Sequence, residues 1–167
     1  SHWWAHMDGQ WVPDRWRGPD GNPMGSASLA PLLYEYTHDI ITQLKEQDTL
    51  PDAVQVGNEV DQGMLWNTAL LPAHWTAFVE LTAEAVSAIS DVAGGNNMHK
   101  IVLHISKGGD AQFCEDWVAT FTAAGGTLDV IGLSYYPMWH GTLDDLKGNV
   151  NNLAIKFPEL EVWVVET

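Results

Sequence analysis

Residues 54–59 (VQVGNE) and 161–166 (EVWVVE) decide how this chain is read. Each is a short run rich in β-branched residues, the composition of a strand buried on both faces. Each ends on a carboxylate, Glu59 in the first and Glu166 in the second. Two further runs of the same kind, 100–105 (KIVLHI) and 128–134 (LDVIGLS), lie between them.

Helical patterns separate these strands. Residues 28–47 place Leu33, Tyr36, Ile40 and Leu44 at helical spacing, with Ser28 available as a cap. Residues 72–93 carry Trp75, Phe78, Val79, Val86 and Ile89 on one stripe, with Pro72 near the first turn. Residues 111–124 and 142–156 give two more helices, the former closed by Gly125-Gly126. Residues 1–27, punctuated by Pro13, Gly18, Pro19, Gly21, Pro23 and Gly25, read as one long loop. Loops of that length in a compact domain are usually functional.

Regular α–β alternation with short connections means parallel strands joined by right-handed crossovers. A doubly wound open sheet fits the same pattern. However, no G-x-G-x-x-G or G-x-x-x-x-G-K-[ST] phosphate loop occurs. The unusual residues follow the strands at their carboxyl ends, where a (β/α)8 barrel keeps its active site. The predicted fold class is therefore α/β, a (β/α)8 TIM barrel. Such a barrel takes roughly 250 residues, and this chain has 167. It is expected to be a partial barrel, from about the end of strand 3 to strand 7. Residues 1–167 would form one catalytic domain, incomplete at both ends, exposing sheet edges and apolar helix faces and inactive or poorly folded by itself.

Composition narrows the partners. Twenty-two acidic against seven basic residues give a formal charge of −15, a field that repels nucleic acid and anionic membranes. No apolar run approaches the roughly 18–20 residues of a membrane span. The single cysteine, Cys114 beside Phe113 and Trp117, excludes an internal disulfide and reads as buried. Seven histidines show no H-E-x-x-H or similar spacing, so no catalytic metal is expected. Nine tryptophans is an unusual number, and a Trp-rich core accounts for some of them. Trp3, Trp4, Trp11, Trp16, Trp66 and Trp139 lie among Gly, Pro, Asp and His, where an indole can stack on the apolar face of a sugar.

Paired carboxylates at barrel strand ends are the apparatus of a glycosidase. A bare Asn-Glu pair is more often a helix cap or a solvated acid. At 58–59, however, it follows an apolar run and precedes a Trp-bearing loop. Asn58 could hold a sugar 2-hydroxyl while Glu59 reaches the glycosidic oxygen. Glu166 ends so apolar a strand that it must face a polar cleft or an ion-pair partner. Two such acids about 5 Å apart permit a retaining double displacement, with Glu166 as nucleophile and Glu59 as acid/base. His104 reads either as a satisfied core histidine or as a hydrogen-bond partner of the cleft. One hydroxyl of Tyr135 and Tyr136 could hold the nucleophile, and Trp139 could stack on a sugar.

VQVGNEVDQGMLW (54–66), IGLSYYPMWHGTLDDL (131–146) and VWVVET (162–167) resemble glycoside hydrolase family 53, the arabinogalactan endo-β-1,4-galactanases. YEYTHDII (34–41) and the opening S-x-x-W-A also match that pattern. The resemblance implies a (β/α)8 retaining hydrolase with Glu59 as acid/base and Glu166 as nucleophile. It implies that Asn58, Trp66, His104, Tyr135, Tyr136, Trp139 and Trp4 bind substrate. The family usually carries aspartates and a proline where this chain has His2, His6 and Met7. It also has a shorter turn where 107–110 reads KGGD. Bacterial members can hold a structural calcium in a later loop; otherwise no cofactor is implied.

The expected protein is an endo-acting glycosidase cleaving β-1,4-galactan, the side chains of pectin. It would be secreted or periplasmic, monomeric at full length, and without nucleic-acid or membrane partners. A clan member acting on mannan, xylan or glucan is the alternative enzyme. A non-catalytic glycan-binding protein is the alternative of another class.

Overall fold

The computed structural model describes residues 9–94 and 99–167. Helix α1 (Ser26–Glu46) leads into strand β1 (Ala53–Gln55), then a 3-10 turn (Val60–Gln62) and a small antiparallel hairpin, β2 (Gly63–Met64) with β3 (Ala69–Leu70). Helix α2 (Trp75–Ala93), β4 (Lys100–Ile105), α3 (Ala111–Ala123) and β5 (Val130–Ser134) follow. A one-turn helix α4 (Pro137–His140), α5 (Leu143–Lys156) and β6 (Glu161–Glu166) complete the order.

Strands β1, β4, β5 and β6 form one sheet in that order, all parallel. Neighbours in space are neighbours in sequence, as in a (β/α)8 barrel wall. Every carboxyl end points the same way, so the segments after β1, β4, β5 and β6 share one rim.

The central strands form because their side chains are buried, all five residues of β5 and five of the six in β4, whereas the edge strands β1 and β6 hold no buried residue, against the burial on both faces that their composition suggests. The helices pack through apolar stripes. In α2, Phe78, Leu81, Ala85, Ala88, Ile89 and Val92 are buried, and in α3 Cys114, Trp117, Val118 and Phe121. Between those helices Phe78 meets Phe121 edge-on at 5.7 Å, while Trp117 stacks on Phe121 at 5.4 Å. The Cys114 thiol donates to the Lys107 carbonyl and receives the Asn149 amide; burial pushes it up to about 12. It is inert at neutral pH.

Several boundaries differ from the sequence reading, each for a local reason. Helix α1 starts at Ser26 with Gly25 as its cap, so Ser28 lies inside the first turn and caps nothing. Ser26 instead donates its hydroxyl to Glu80 of α2. Helix α2 starts at Trp75, after Pro72, with His74 as its cap. The Trp-bearing loop expected after Glu59 contains the 3-10 turn and hairpin, which are too short to leave a periodic signal. Gly63 makes that hairpin: its φ is 78°, and a Cβ there would run into the Ala69 carbonyl. The helix expected at 142–156 is preceded by α4. Thr142 opens α5 with a reciprocal capping box to Asp145.

Candidate active site

The rim after β1 carries Asn58 and Glu59. Gly57 turns the chain with φ 79°, and Glu59 itself is left-handed at φ 46°, ψ 57°. A non-glycine residue in that region costs on the order of 1 kcal/mol and persists only where its surroundings hold it. Gln10 supplies the hold. It is 2% exposed, and its Nε2 donates to the carbonyl oxygens of Asn58 and Glu59 at 2.7 and 3.0 Å. Beyond Glu59, Val60 is fully buried. Asp61 receives the Ser106 amide and hydroxyl, tying this segment to the end of β4.

Glu166 is placed by an irregularity in the sheet. Leu133 pairs with Val164, but Ser134 pairs with Glu166, so β6 carries one extra residue there. A bulge of this kind re-aims the side chain that follows it. The Tyr135 amide donates to the Glu166 carbonyl at 2.8 Å. The Tyr136 hydroxyl donates to Glu166 Oε1 at 2.9 Å. That bond to a carboxylate raises the Tyr136 hydroxyl above its ordinary pKa, since ionising it would put two negative charges together. Tyr135 is 5% exposed and turns away, donating its hydroxyl to the Gly141 carbonyl at 3.1 Å. Of the two tyrosines, Tyr136 is the one on the carboxylate.

Between the two acids sits His104. Single ligand-type atoms of Glu59, His104 and Glu166 all lie within 4.8 Å of one another. His104 is 1% exposed. Burial lowers its pKa below the ordinary histidine value, against the opposing pull of Glu166, Glu59 and Asp61. Its Nε2 lies 2.7 Å from Ser134 Oγ, and Ser134 donates its hydroxyl to Glu59 Oε1 at 2.7 Å. Around Nδ1 lie the Gln55 amide at 3.2 Å, Asn58 Oδ1 at 3.2 Å and the Glu59 backbone N–H at 3.4 Å. Both ring nitrogens therefore have partners. His104 is a buried hydrogen-bonding histidine and joins the two readings its sequence context left open.

The aromatic residues divide. Trp139 is 72% exposed beside Met138 at 78%, with its ring edge-on to Tyr136 at 5.4 Å. It stands on the lip of the acid pair. Trp66 is only 8% exposed: its indole N–H donates to the Gln62 carbonyl, and Trp11 packs edge-on against it at 5.5 Å. The exposed ring of that couple is Trp11, at 44%. Trp16 is buried in the core against Tyr36. Trp4, with Trp3, His2, His6 and Met7, lies outside the described residues. The KGGD loop is a close-packed corner: Gly109 abuts the His140 carbonyl, and Asp110 caps α3.

Sequence reasoning singled out neither Ser134, Gln10 nor Gln55. Ser134 had one signal, a polar residue ending an otherwise apolar strand. Gln10 had none, because its partners lie 48 and 49 residues away.

Comparison with known proteins places this geometry. The model of glycosyl hydrolase family 53 matches residues 1–167. The chain is 37% identical to a protein of Niallia circulans described as uncharacterized in the bgaB 5′ region, over 98% of this chain and 44% of that one. It is 32% identical to the arabinogalactan endo-beta-1,4-galactanase of Thermothelomyces thermophilus, over 100% of this chain and 49% of that one. Among solved structures, the GH53 catalytic domain of Ignisphaera aggregans superimposes with a TM-score of 0.86 at 35% identity, covering 98% of this chain and 42% of that one. The chain thus spans about half the length of the curated relatives it matches, as part of a (β/α)8 barrel. It belongs to glycosyl hydrolase family 53.

Proposed function

We propose that the parent protein is an endo-acting β-1,4-galactanase working by a retaining double displacement. The observation that carries this reading is the carboxylate pair. Oxygens of Glu59 and Glu166 lie within 4.8 Å of each other on one rim. That is close to the roughly 5–5.5 Å of retaining enzymes and short of the roughly 6.5–9.5 Å that leaves room for an inverting water. The galactan substrate is drawn from the activity for which the Thermothelomyces relative is named.

In the first step the Glu166 carboxylate attacks the anomeric carbon. The bond to the glycosidic oxygen breaks as Glu59 gives that oxygen its proton. A galactosyl ester on Glu166 and a carboxylate on Glu59 result. In the second step Glu59 takes a proton from water, whose oxygen attacks the same carbon and releases Glu166. Tyr136 holds Glu166 in line through its hydroxyl, and Asn58 lies beside Glu59 for a 2-hydroxyl contact. The exposed indole of Trp139, and Trp11 across the rim, offer faces for sugar rings. No cofactor enters this scheme. The strongly negative field suits a neutral polysaccharide, such as the galactan chains of pectin met by a secreted or periplasmic monomer.

Proton NMR of galactan during hydrolysis tests the reading. The β-anomer at the new reducing end should appear first and mutarotate afterwards. Initial α-anomer, or no hydrolysis by the full-length protein, would contradict it. A xylan- or mannan-active clan member would show the same stereochemistry on the other polymer.

A further inference from the structure

Glu59 has two carboxylate oxygens, and they are not equivalent. Oε1 receives the Ser134 hydroxyl at 2.7 Å, while among the described residues no hydrogen bond to Oε2 is seen. Which oxygen carries the mobile proton depends on the direction of the bonds behind Ser134. A serine hydroxyl has one proton to give. If His104 Nε2 carries a hydrogen, it donates to Ser134 Oγ at 2.7 Å, and the serine proton is free for Glu59. If Nε2 is bare, Ser134 must donate to it, and Glu59 Oε1 would then have to carry a proton to face Ser134 Oγ.

The surroundings of Nδ1 decide between these. The Glu59 backbone N–H at 3.4 Å can only donate, and the Gln55 Nε2 amide at 3.2 Å is a second donor. The Glu59 N–H needs a lone pair on Nδ1, which puts the ring hydrogen on Nε2. Gln55 Nε2 gives one of its two hydrogens to the Gly57 carbonyl at 2.9 Å, so the other serves either Nδ1 or Asn58 Oδ1, the one acceptor nearby, and the Glu59 N–H alone has no such choice. Ser134 is fully buried and His104 is 1% exposed, so water does not compete for either group.

Resting on the galactanase reading, we propose that Ser134 and His104 are a positioning pair that keeps Glu59 Oε1 as a hydrogen-bond acceptor and so confines the transferable proton to Oε2. The chain runs one way: Glu59 N–H to His104, His104 to Ser134, Ser134 to Glu59. The proton that leaves Oε2 for the glycosidic oxygen is later replaced by one from water. The Ser134 bond to Oε1 persists through both steps, stabilising the carboxylate each time it forms. Neither Ser134 nor His104 touches substrate. Ser134 also faces Glu166 across the β5–β6 ladder, so one short strand end sets the relative placement of both acids.

The test compares galactan with a galactan oligosaccharide bearing a dinitrophenyl leaving group, which departs without protonation. In full-length Ser134→Ala, kcat on galactan should fall roughly tenfold or more with KM unchanged. Under single-turnover conditions, release of dinitrophenolate should change by less than about twofold, since only proton delivery is impaired. An equal loss on both substrates would overturn the proposal. Nitrogen-15 NMR of the unsubstituted protein provides a readout independent of turnover. His104 should be the Nε2–H tautomer, and an Nδ1–H tautomer would overturn the proposal even in a fully active enzyme. If the protein cleaved neither substrate, the galactanase reading would fail, and the tautomer would still decide the pair.

Discussion

The Glu59 and Glu166 carboxylates approach within 4.8 Å although β1 and β6, which lead to them, are the two edge strands of the four-stranded sheet. The approach is produced by two local distortions. A left-handed residue at Glu59 turns its side chain in from β1, and an extra residue in β6 brings Glu166 level with Ser134. Both acids should be indispensable. In the full-length protein, Glu59→Gln and Glu166→Gln should each lower kcat on galactan by about 10²–10⁴ or more. Reducing-sugar release at equal melting temperature checks this, and near-wild-type rates in either variant would remove that acid from the scheme.

Tyr136→Phe should separate positioning from folding. The hydroxyl makes one bond, to Glu166 Oε1, and its ring keeps its place beside Trp139 and His140. Losing a hydrogen bond to a charged group costs roughly 1.5–3 kcal/mol, so kcat/KM should fall about 10- to 100-fold. The matching Tyr135→Phe change removes only a bond to the Gly141 carbonyl and should leave the rate nearly unaltered.

Trp139 is 72% exposed, so its truncation has little fold to disturb. Trp139→Ala should raise KM for long galactan chains severalfold, because the exposed indole face offered to a sugar ring is removed, while thermal melting is unchanged. A fall in kcat with constant KM would mean that Trp139 acts on Glu166 through Tyr136 rather than on substrate.

Burial lowers the His104 pKa in the folded protein, whereas the unfolded chain titrates near the ordinary value of about 6.5. Below that value the unfolded state binds the proton more readily. Stability conferred by neutral His104 is therefore complete above about pH 6.5 and is lost as pH falls toward the depressed folded value. Urea melts of the full-length protein between pH 7.5 and 5 should show this decline, and it should be shallower in His104→Gln. Parallel declines in both proteins would assign the pH dependence to the carboxylates alone.

The interior of the α2–α3 interface provides a stability control away from the rim. Phe78 is fully buried and meets Trp75, Trp117 and Phe121. Phe78→Ala should destabilise by about 3–5 kcal/mol in denaturant melts.

Much of this is legible in the sequence because the central strands β4 and β5 are buried on both faces, whereas the edge strand β6 is read from its β-branched composition alone. Runs such as KIVLHI at 100–105 match β4 residue for residue, and the alternation with helices implied parallel order before any coordinate was known. The acid pair was legible too, because both glutamates end apolar runs. What sequence could not show was everything that depends on sidedness or on contacts distant along the chain. Trp66 and Trp139 occupy similar loops by composition, yet one is buried under Trp11 and the other is bare. Adjacent Tyr135 and Tyr136, just past the end of β5, send their hydroxyls to different partners, and sequence does not tell which one reaches Glu166. The Gln10 brace and the β6 bulge leave no periodic mark at all.

The central claim is that Glu166 becomes covalently glycosylated while Glu59 serves it as acid and base. Incubating the full-length protein with an activated 2-fluoro galactoside, followed by peptide mass spectrometry, tests it most directly. The account predicts a stoichiometric galactosyl adduct on the peptide containing Glu166, absent in Glu166→Gln and still formed in Glu59→Gln. An adduct on Glu59 or elsewhere, or turnover that inverts the anomeric centre without any adduct, would contradict it.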